Sequence, residues 1–213
     1  MFNFPIALFS TANKYQTSIL NTSPIHYWRC GDSSSPLADL GSNPKNISLT
    51  GSFTLQSTSL ITDTINTAVN FSGGFGTFTD TVLTPPYTLE FWIRPNTTLN
   101  NYGGILSEST SLCLVIRSTG VLQLFPKNGS TFTVPANQNS YCTIEVSSTD
   151  ILYTLNATTT SSIATTGNNM TIRVFGSTGT AGENFLGSLD EVAVYNYLLG
   201  STNRQAHYLA GTT

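Results

Sequence analysis

The sequence predicts an all-β protein: two antiparallel sheets packed face to face as a jelly-roll sandwich, with one short C-terminal helix. Three observations carry that expectation. Short segments of alternating apolar and polar residues recur along the chain, separated by Gly, Pro, Asn and Ser turns. Ser and Thr together exceed a quarter of the 213 residues, and the branched Cβ of Thr suits a pleated surface. Helix signals gather only after Leu198, in a single stretch that closes at Gly211.

The totals narrow the function classes. Charged residues are 9% of the chain and the net charge is −3. Nucleic-acid binding asks for clustered Lys and Arg, so it is excluded as an expectation. No apolar run is long enough to span a bilayer. Solubility must rest on hydroxyls and amides. Cys30, Cys113 and Cys142 match no zinc or redox spacing, and each sits in an apolar, strand-like setting. They are expected to be buried thiols, with no disulfide.

Met1 to Ala12 lacks the basic start of a secretion signal, and Pro5 interrupts its apolar run, so Met1 is expected to be retained. Phe2, Phe4, Ile6 and Leu8 alternate with Asn3, Pro5 and Ala7, a strand-like pattern with one apolar face. Residues 1–13 are therefore expected to form an arm that docks on a partner chain, and residues 14–213 a single domain.

Pro24 opens a strand over Ile25 to Cys30, and Asp32 to Gly51 is a turn-rich loop. Thr67 to Phe71 and Phe75 to Thr79 read as a hairpin joined by Ser72-Gly73-Gly74. Thr88 to Arg94 is the clearest strand. Leu89, Phe91 and Ile93 share one face and should be buried together; Thr88, Glu90, Trp92 and Arg94 share the other. Glu90 beside Trp92 places that second face outside the main core. Shorter strands follow at 104–107, 112–117, 121–125, 131–134, 141–147, 151–155 and 171–175. Ser188 to Asn196 is a central strand. Simple alternation puts Leu189, Glu191, Ala193 and Tyr195 on one face, and Asp190, Val192, Val194 and Asn196 on the other. Ser201 should cap a helix of about two turns, with Gly211 as its left-handed stop.

Four stretches, in order, resemble the laminin G-like, concanavalin A-like jelly-roll family in its bacterial and phage form. The first is Tyr15, Ile19, Leu20, Pro24, Ile25, Tyr27-Trp28-Arg29-Cys30, Gly31 and Asp32. The second is Ala38-Asp39 with Gly41 and Asn43. The third is Thr88 to Pro95. The last is Phe185, Gly187, Asp190-Glu191-Val192, Tyr195, Leu198, His207-Tyr208 and Ala210-Gly211. Two departures are Tyr141, where the family has a Trp, and Asn156-Ala157-Thr158, where it has an Asp-Gly or Asn-Gly turn. The resemblance implies a concanavalin A-like sandwich, and it leaves function open, because the fold hosts lectins, enzymes and structural subunits.

Some members bind calcium through loop oxygens, and the matching positions here are Asp39 and Asp190, with Asp32 a poorer third. The alternative is that Asp39 and Asp190 bond to neighbouring backbone N–H groups. No other cofactor is implied. An enzyme of this fold would need two facing carboxylates. Asp190 and Glu191 are adjacent, which in a regular strand sends them to opposite faces, and Glu90 and Glu108 could meet only through the tertiary fold. His26 and His207 are expected to be structural. Tyr102, Phe132 and Tyr141 are candidate sugar platforms, though no ligand-binding residue can be fixed.

These readings converge on a non-enzymatic virion subunit, a phage head-decoration or tail-associated protein. It would be held by the arm to other virion proteins in a multi-copy assembly. The alternative is a free carbohydrate-binding lectin or adhesin of the same fold, at the cell surface or outside the cell. Host or environmental glycans are possible partners in both.

Overall fold

The computed structural model describes residues 14–62, 66–108, 113–125, 132–164 and 169–213, and the arm lies outside the described residues. The elements run α1 (Lys14–Leu20), β1 (His26–Trp28), β2 (Ser48–Thr50), β3 (Phe53–Ser57), β4 (Ala68–Ser72), β5 (Phe75–Leu83) and β6 (Tyr87–Pro95). Then come β7 (Tyr102–Ser107), β8 (Cys113–Arg117), β9 (Val121–Phe125), β10 (Phe132–Thr133), β11 (Ser140–Val146) and β12 (Asp150–Leu155). The chain ends with β13 (Thr159–Ala164), β14 (Met170–Phe175), β15 (Leu186–Tyr195) and α2 (Gly200–Thr212).

Two antiparallel sheets form the sandwich. The first has the order β13-β12-β11-β6-β15-β4-β3, with β1 also paired to β15. The second has the order β10-β9-β8-β7-β14-β5-β2. Their inner faces meet in one apolar core. Leu89, Phe91 and Ile93 of β6 are all fully buried in it, as their alternation predicts. Cys30 and Cys142 are buried free thiols.

A second, smaller core lies on the outer face of the first sheet. Trp92, Tyr141, Ala193 and Tyr195 project there and are covered by Tyr15 and Ile19 of α1, by Ala210 of α2 and Leu199 just before it, and by Leu60 and Ile61. The helix α1 is unexpected. Tyr15 and Ile19 stand four residues apart, so one turn brings both onto the face that meets the sheet. Lys14 Nζ donates to Thr213 Oγ1 at 2.7 Å, so the two ends of the described chain are neighbours.

Several local expectations need correction. The segments around Ser72-Gly73-Gly74 do not form a hairpin, because β4 and β5 belong to different sheets. The turn is a corner between layers. Gly73 has φ +128°, and a Cβ on Gly74 would lie 2.8 Å from the carbonyl oxygens of Thr50 and Ser52. Strands β2, β3 and β13 add to those expected, and β3 does alternate, with Phe53 and Leu55 packed against the main core.

Helix α2 has 13 residues, about six more than the two turns expected, and Ser201 does not cap it. The N-cap position is Leu199, with no side-chain cap. The Glu145 carboxylate of β11 takes that role from across the sheet. It accepts from the Gly200 N–H at 2.6 Å and pairs with Arg204. Gly211 is inside the helix and is not left-handed. Its missing side chain serves a close approach, since a Cβ there would lie 2.6 Å from Trp92 Cζ2.

The face assignment of β15 is also corrected. The β6–β15 register shifts between Asp190 and Ala193, and Glu191 has φ +51°. This β-bulge places two residues opposite one. Leu189, Val192 and Val194 therefore join the main core, while Ala193 and Tyr195 join the outer one.

Candidate functional site

The outer face of β6 can be followed residue by residue. Glu90 is fully buried and is surrounded by donors. Tyr141 Oη and Tyr195 Oη each donate to it at 2.8 Å, and His207 Nδ1 lies 2.9 Å from Oε1 and 3.1 Å from Oε2. Burial alone would push the His207 pKa down; the Glu90 charge and hydrogen bonds outweigh it and raise the pKa above its ordinary value. Burial first, and then the Glu90 charge, push the Tyr141 and Tyr195 hydroxyls well up, so both remain donors. This is a closed polar network under α2.

The bulge in β15 builds a second buried cluster. It turns Asp190 and Glu191 to the same outer face, against simple alternation. Asn66 Nδ2 lies 2.8 Å from Asp190 Oδ1 and 2.8 Å from Glu191 Oε1. Arg29 Nη2 donates to Glu191 Oε1 at 2.9 Å, Tyr27 Oη donates to Glu191 Oε2, and the Leu60 N–H donates to Asp190 Oδ2 at 2.9 Å. Burial and the neighbouring Glu191 charge raise the Asp190 pKa well above the carboxylate range. Both side chains are 0% exposed, which keeps substrate and bulk water away from them. Glu90 and Glu108 do not meet either. Glu90 faces α2 from the first sheet, and Glu108 follows β7 of the second, where its carbonyl accepts from Arg173 Nε.

Asp39 lies in another place. Its Oδ1 accepts from the N–H groups of Tyr27 and Gly41, both at 2.8 Å. Its Oδ2 accepts from the Lys45 N–H at 2.7 Å and stands 2.7 Å from His26 Nδ1. Burial would raise its pKa, but these hydrogen bonds, His26 first, hold it below the usual value. Asp39 and Asp190 share no hydrogen-bond partner, and their oxygens are occupied by protein donors. Among the described residues, no group of three or more His, Cys, Asp or Glu is placed to hold a metal ion. Asp32 accepts from the Ala38 N–H at 3.2 Å. His26 is stacked on Trp28 and buried.

Of the three aromatics anticipated as sugar platforms, Tyr141 is sealed in the Glu90 network and Phe132 is buried. Tyr102 is half-buried. It meets Phe125 edge-on at 5.3 Å and carries the Arg117 guanidinium 4.1 Å over its ring.

An open cleft lies elsewhere, at the upper edge of the small outer core. It measures about 290 Å³ and is lined by Leu60, Thr62, Trp92, Asn139, Asn156 and Tyr208, with Gly211 and Thr212 of α2 beside them. The Trp92 and Tyr208 rings stack at 6.0 Å with their planes 13° apart. The bare Gly211 lets Trp92 lie under the helix. Asn156 sits at the β12–β13 turn, where it and Ala157 both have positive φ, 50° and 57°, as a tight hairpin requires. Its Oδ1 accepts from the Tyr141 N–H at 2.9 Å, which fixes the amide at the rim. Trp92 is only 2% exposed, so the cleft offers the Tyr208 ring, backed by Trp92, together with amides and hydroxyls. Trp92 was legible in the sequence as an outward residue and Asn156 as an altered rim. Tyr208 and Asn139 were missed, because the helix and the loop that carry them approach Trp92 only in the folded chain.

Residues 67–203 match the concanavalin A-like lectin/glucanases superfamily in its laminin G-like branch. The chain belongs to that family. Its fold is similar to domain 4 of an extracellular arabinanase from Geobacillus stearothermophilus, solved with arabinotriose. That likeness has a TM-score of 0.64 and 13% identity, and covers 87% of this chain and 98% of the arabinanase domain. The ligand-binding domain of botulinum neurotoxin serotype D, solved with N-acetylneuraminic acid, gives 0.64 at 17% identity over 92% of this chain and 52% of the toxin domain. A Trypanosoma rangeli sialidase in complex with sialic acid gives 0.62 at 11% identity over 89% and 33%. The family domain thus spans about half of the toxin fragment and a third of the sialidase. No curated protein sequence matches the chain. Among the described residues, no helix is long and apolar enough to cross a membrane.

Proposed function

We propose that this laminin G-like domain is a carbohydrate-binding module, a lectin or adhesin that works outside the cell or at its surface and performs no chemistry on the sugar. The observation that carries this reading is the cleft over the partly exposed Tyr208 ring, which the buried Trp92 backs, with the Asn139 and Asn156 amides and the Thr62 hydroxyl at its rim. Sugars offer an apolar ring face and a circle of hydroxyls, which such a mixed surface can match. Arabinotriose in the similar arabinanase domain supports the same class of ligand. A binding role without catalysis is favoured because Glu90, Asp190 and Glu191 are spent on protein donors. Calcium through Asp39 or Asp190 would have to displace those donors. The test is a glycan array with the intact protein, followed by calorimetry on the hits. Binding that Tyr208→Ala abolishes without unfolding the protein is expected; no binding to any glycan at millimolar concentration overturns the reading.

The virion role rests on the alternation of Phe2, Phe4, Ile6 and Leu8, which favours an arm that docks on another chain. It is compatible with glycan binding, and the likenesses above give it no support of their own. Deleting residues 1–12 should leave a folded domain that no longer joins purified particles. Full particle binding by the truncated protein overturns it.

A further inference from the structure

Beside the Trp92 cleft, on the same outer face, is a second cleft of about 240 Å³. Its character is different. Arg94, Asn70, Asn96, Asn137, Ser188 and Thr58 line it, with no carboxylate and no apolar side chain among the described residues that form it. Arg94 is an exception among the arginines. Arg29 pairs with Glu191, Arg204 with Glu145 and Arg173 with Asp80, and Arg117 lies over Tyr102. The Arg94 side chain is exposed and makes no hydrogen bond or ion pair among the described residues. In a chain with only eight Lys and Arg, an unpartnered guanidinium in a wall of amides and hydroxyls has one obvious complement, a planar anion.

The two clefts are in step with each other. Trp92 and Arg94 are two residues apart on one face of β6, a spacing of about 6.6 Å along a strand. Asn139 and Asn137 repeat that offset before β11, and Leu60 and Thr58 repeat it after β3. Three separate segments thus each contribute to both clefts. Adjacent rings of one oligosaccharide can occupy them together.

We infer that the Arg94 cleft is a carboxylate subsite, and that the ligand is an acidic oligosaccharide whose carboxylated sugar lies on Arg94 while a neighbouring ring lies against Tyr208. This rests on the glycan reading above and narrows it. The guanidinium fork donates two parallel hydrogen bonds to the carboxylate, and the Asn70, Asn96 and Asn137 amides take the surrounding hydroxyls. Uronic and sialic acids present the same group, so the experiment separates them.

Calorimetry at low salt would use two matched pairs: trigalacturonate with its carboxyl-reduced form, and 3′-sialyllactose with lactose. In at least one pair the acidic member should bind about tenfold tighter, the scale of a charge-assisted contact. Arg94→Gln should reduce its affinity to that of the wild-type protein for the uncharged partner. Arg94→Lys should recover only part of the gap, because an ammonium lacks the fork. Melting temperatures should be unchanged in both variants, which confirms that they fold. Equal binding of acidic and uncharged members overturns the subsite and leaves the glycan reading intact. So does a preference that survives Arg94→Gln. Binding of none of the four probes, with hits on other glycans in the array, overturns the subsite alone; no hits anywhere overturns both.

Discussion

The two faces of β6 do opposite kinds of work. Its inner face, Leu89, Phe91 and Ile93, is apolar and fully buried in the large core between the sheets. Its outer face changes every second residue. Glu90 lies in a sealed hydrogen-bond network, Trp92 forms the floor of a cleft, and Arg94 is in solvent. The inner face holds the fold by area, whereas the outer face holds particular groups in particular places. A sheet can thus be stabilised on one side and specialised on the other.

The largest effect should come from the inner face. Phe91→Ala should lower stability by about 4 kcal/mol through lost burial and a residual cavity, read as a shifted denaturant midpoint with unchanged slope. A shift below about 1 kcal/mol would mean that the two sheets are not packed on this residue.

Next is the sealed network. Glu90→Ala removes the partner of His207 Nδ1 and the acceptor of the buried Tyr141 and Tyr195 hydroxyls. The expected loss is about 3 kcal/mol, from desolvated groups rather than lost area. The same network predicts a pH slope. Because Glu90 raises the folded pKa of His207, its contribution is fully present below about pH 6.5, the ordinary His value, and fades as pH rises through the higher folded value. The wild-type melting temperature should fall over that window, and His207→Gln should flatten this part of the curve. Asp39 has the opposite sign: its folded pKa is lowered, so its contribution is lost as pH falls below the usual Asp range.

Gly211→Ala is smaller. The new methyl would meet Trp92 Cζ2 at 2.6 Å, so the ring must shift, at about 1–2 kcal/mol. The more telling readout is glycan affinity, which should fall with the displaced cleft floor. Tyr208→Ala should change stability least, by about 1 kcal/mol for the lost stacking, yet remove binding. If both variants bind as the wild type does, the outer face is only a second core.

How much of this was legible in the sequence depends on whether the cause is local. Leu89, Phe91 and Ile93 announce their shared face through spacing alone, and the sandwich follows from many such segments. The bulge at Glu191 is not local. It comes from how β15 pairs with β6, so alternation placed Asp190 and Glu191 on opposite faces when they share one. Ser72-Gly73-Gly74 looked like a hairpin because a sequence shows that the chain turns but not which sheet it enters. The clefts were least visible, since each is assembled from segments distant in sequence, and Tyr208 becomes a surface aromatic only once α2 lies on Trp92.

The contact between Lys14 and Thr213 bears on how the domain can be rewired. A domain whose described ends lie side by side can be joined there and opened elsewhere. A short glycine-rich linker from residue 213 back to residue 14, with new ends in the exposed turn after Arg117, would give a circular permutant with both sheets, the bulge and the two clefts intact. Such a molecule should fold and bind as the parent does. For the same reason, a copy of the domain could be spliced into a surface loop of an unrelated host protein with little separation of the host's two strands.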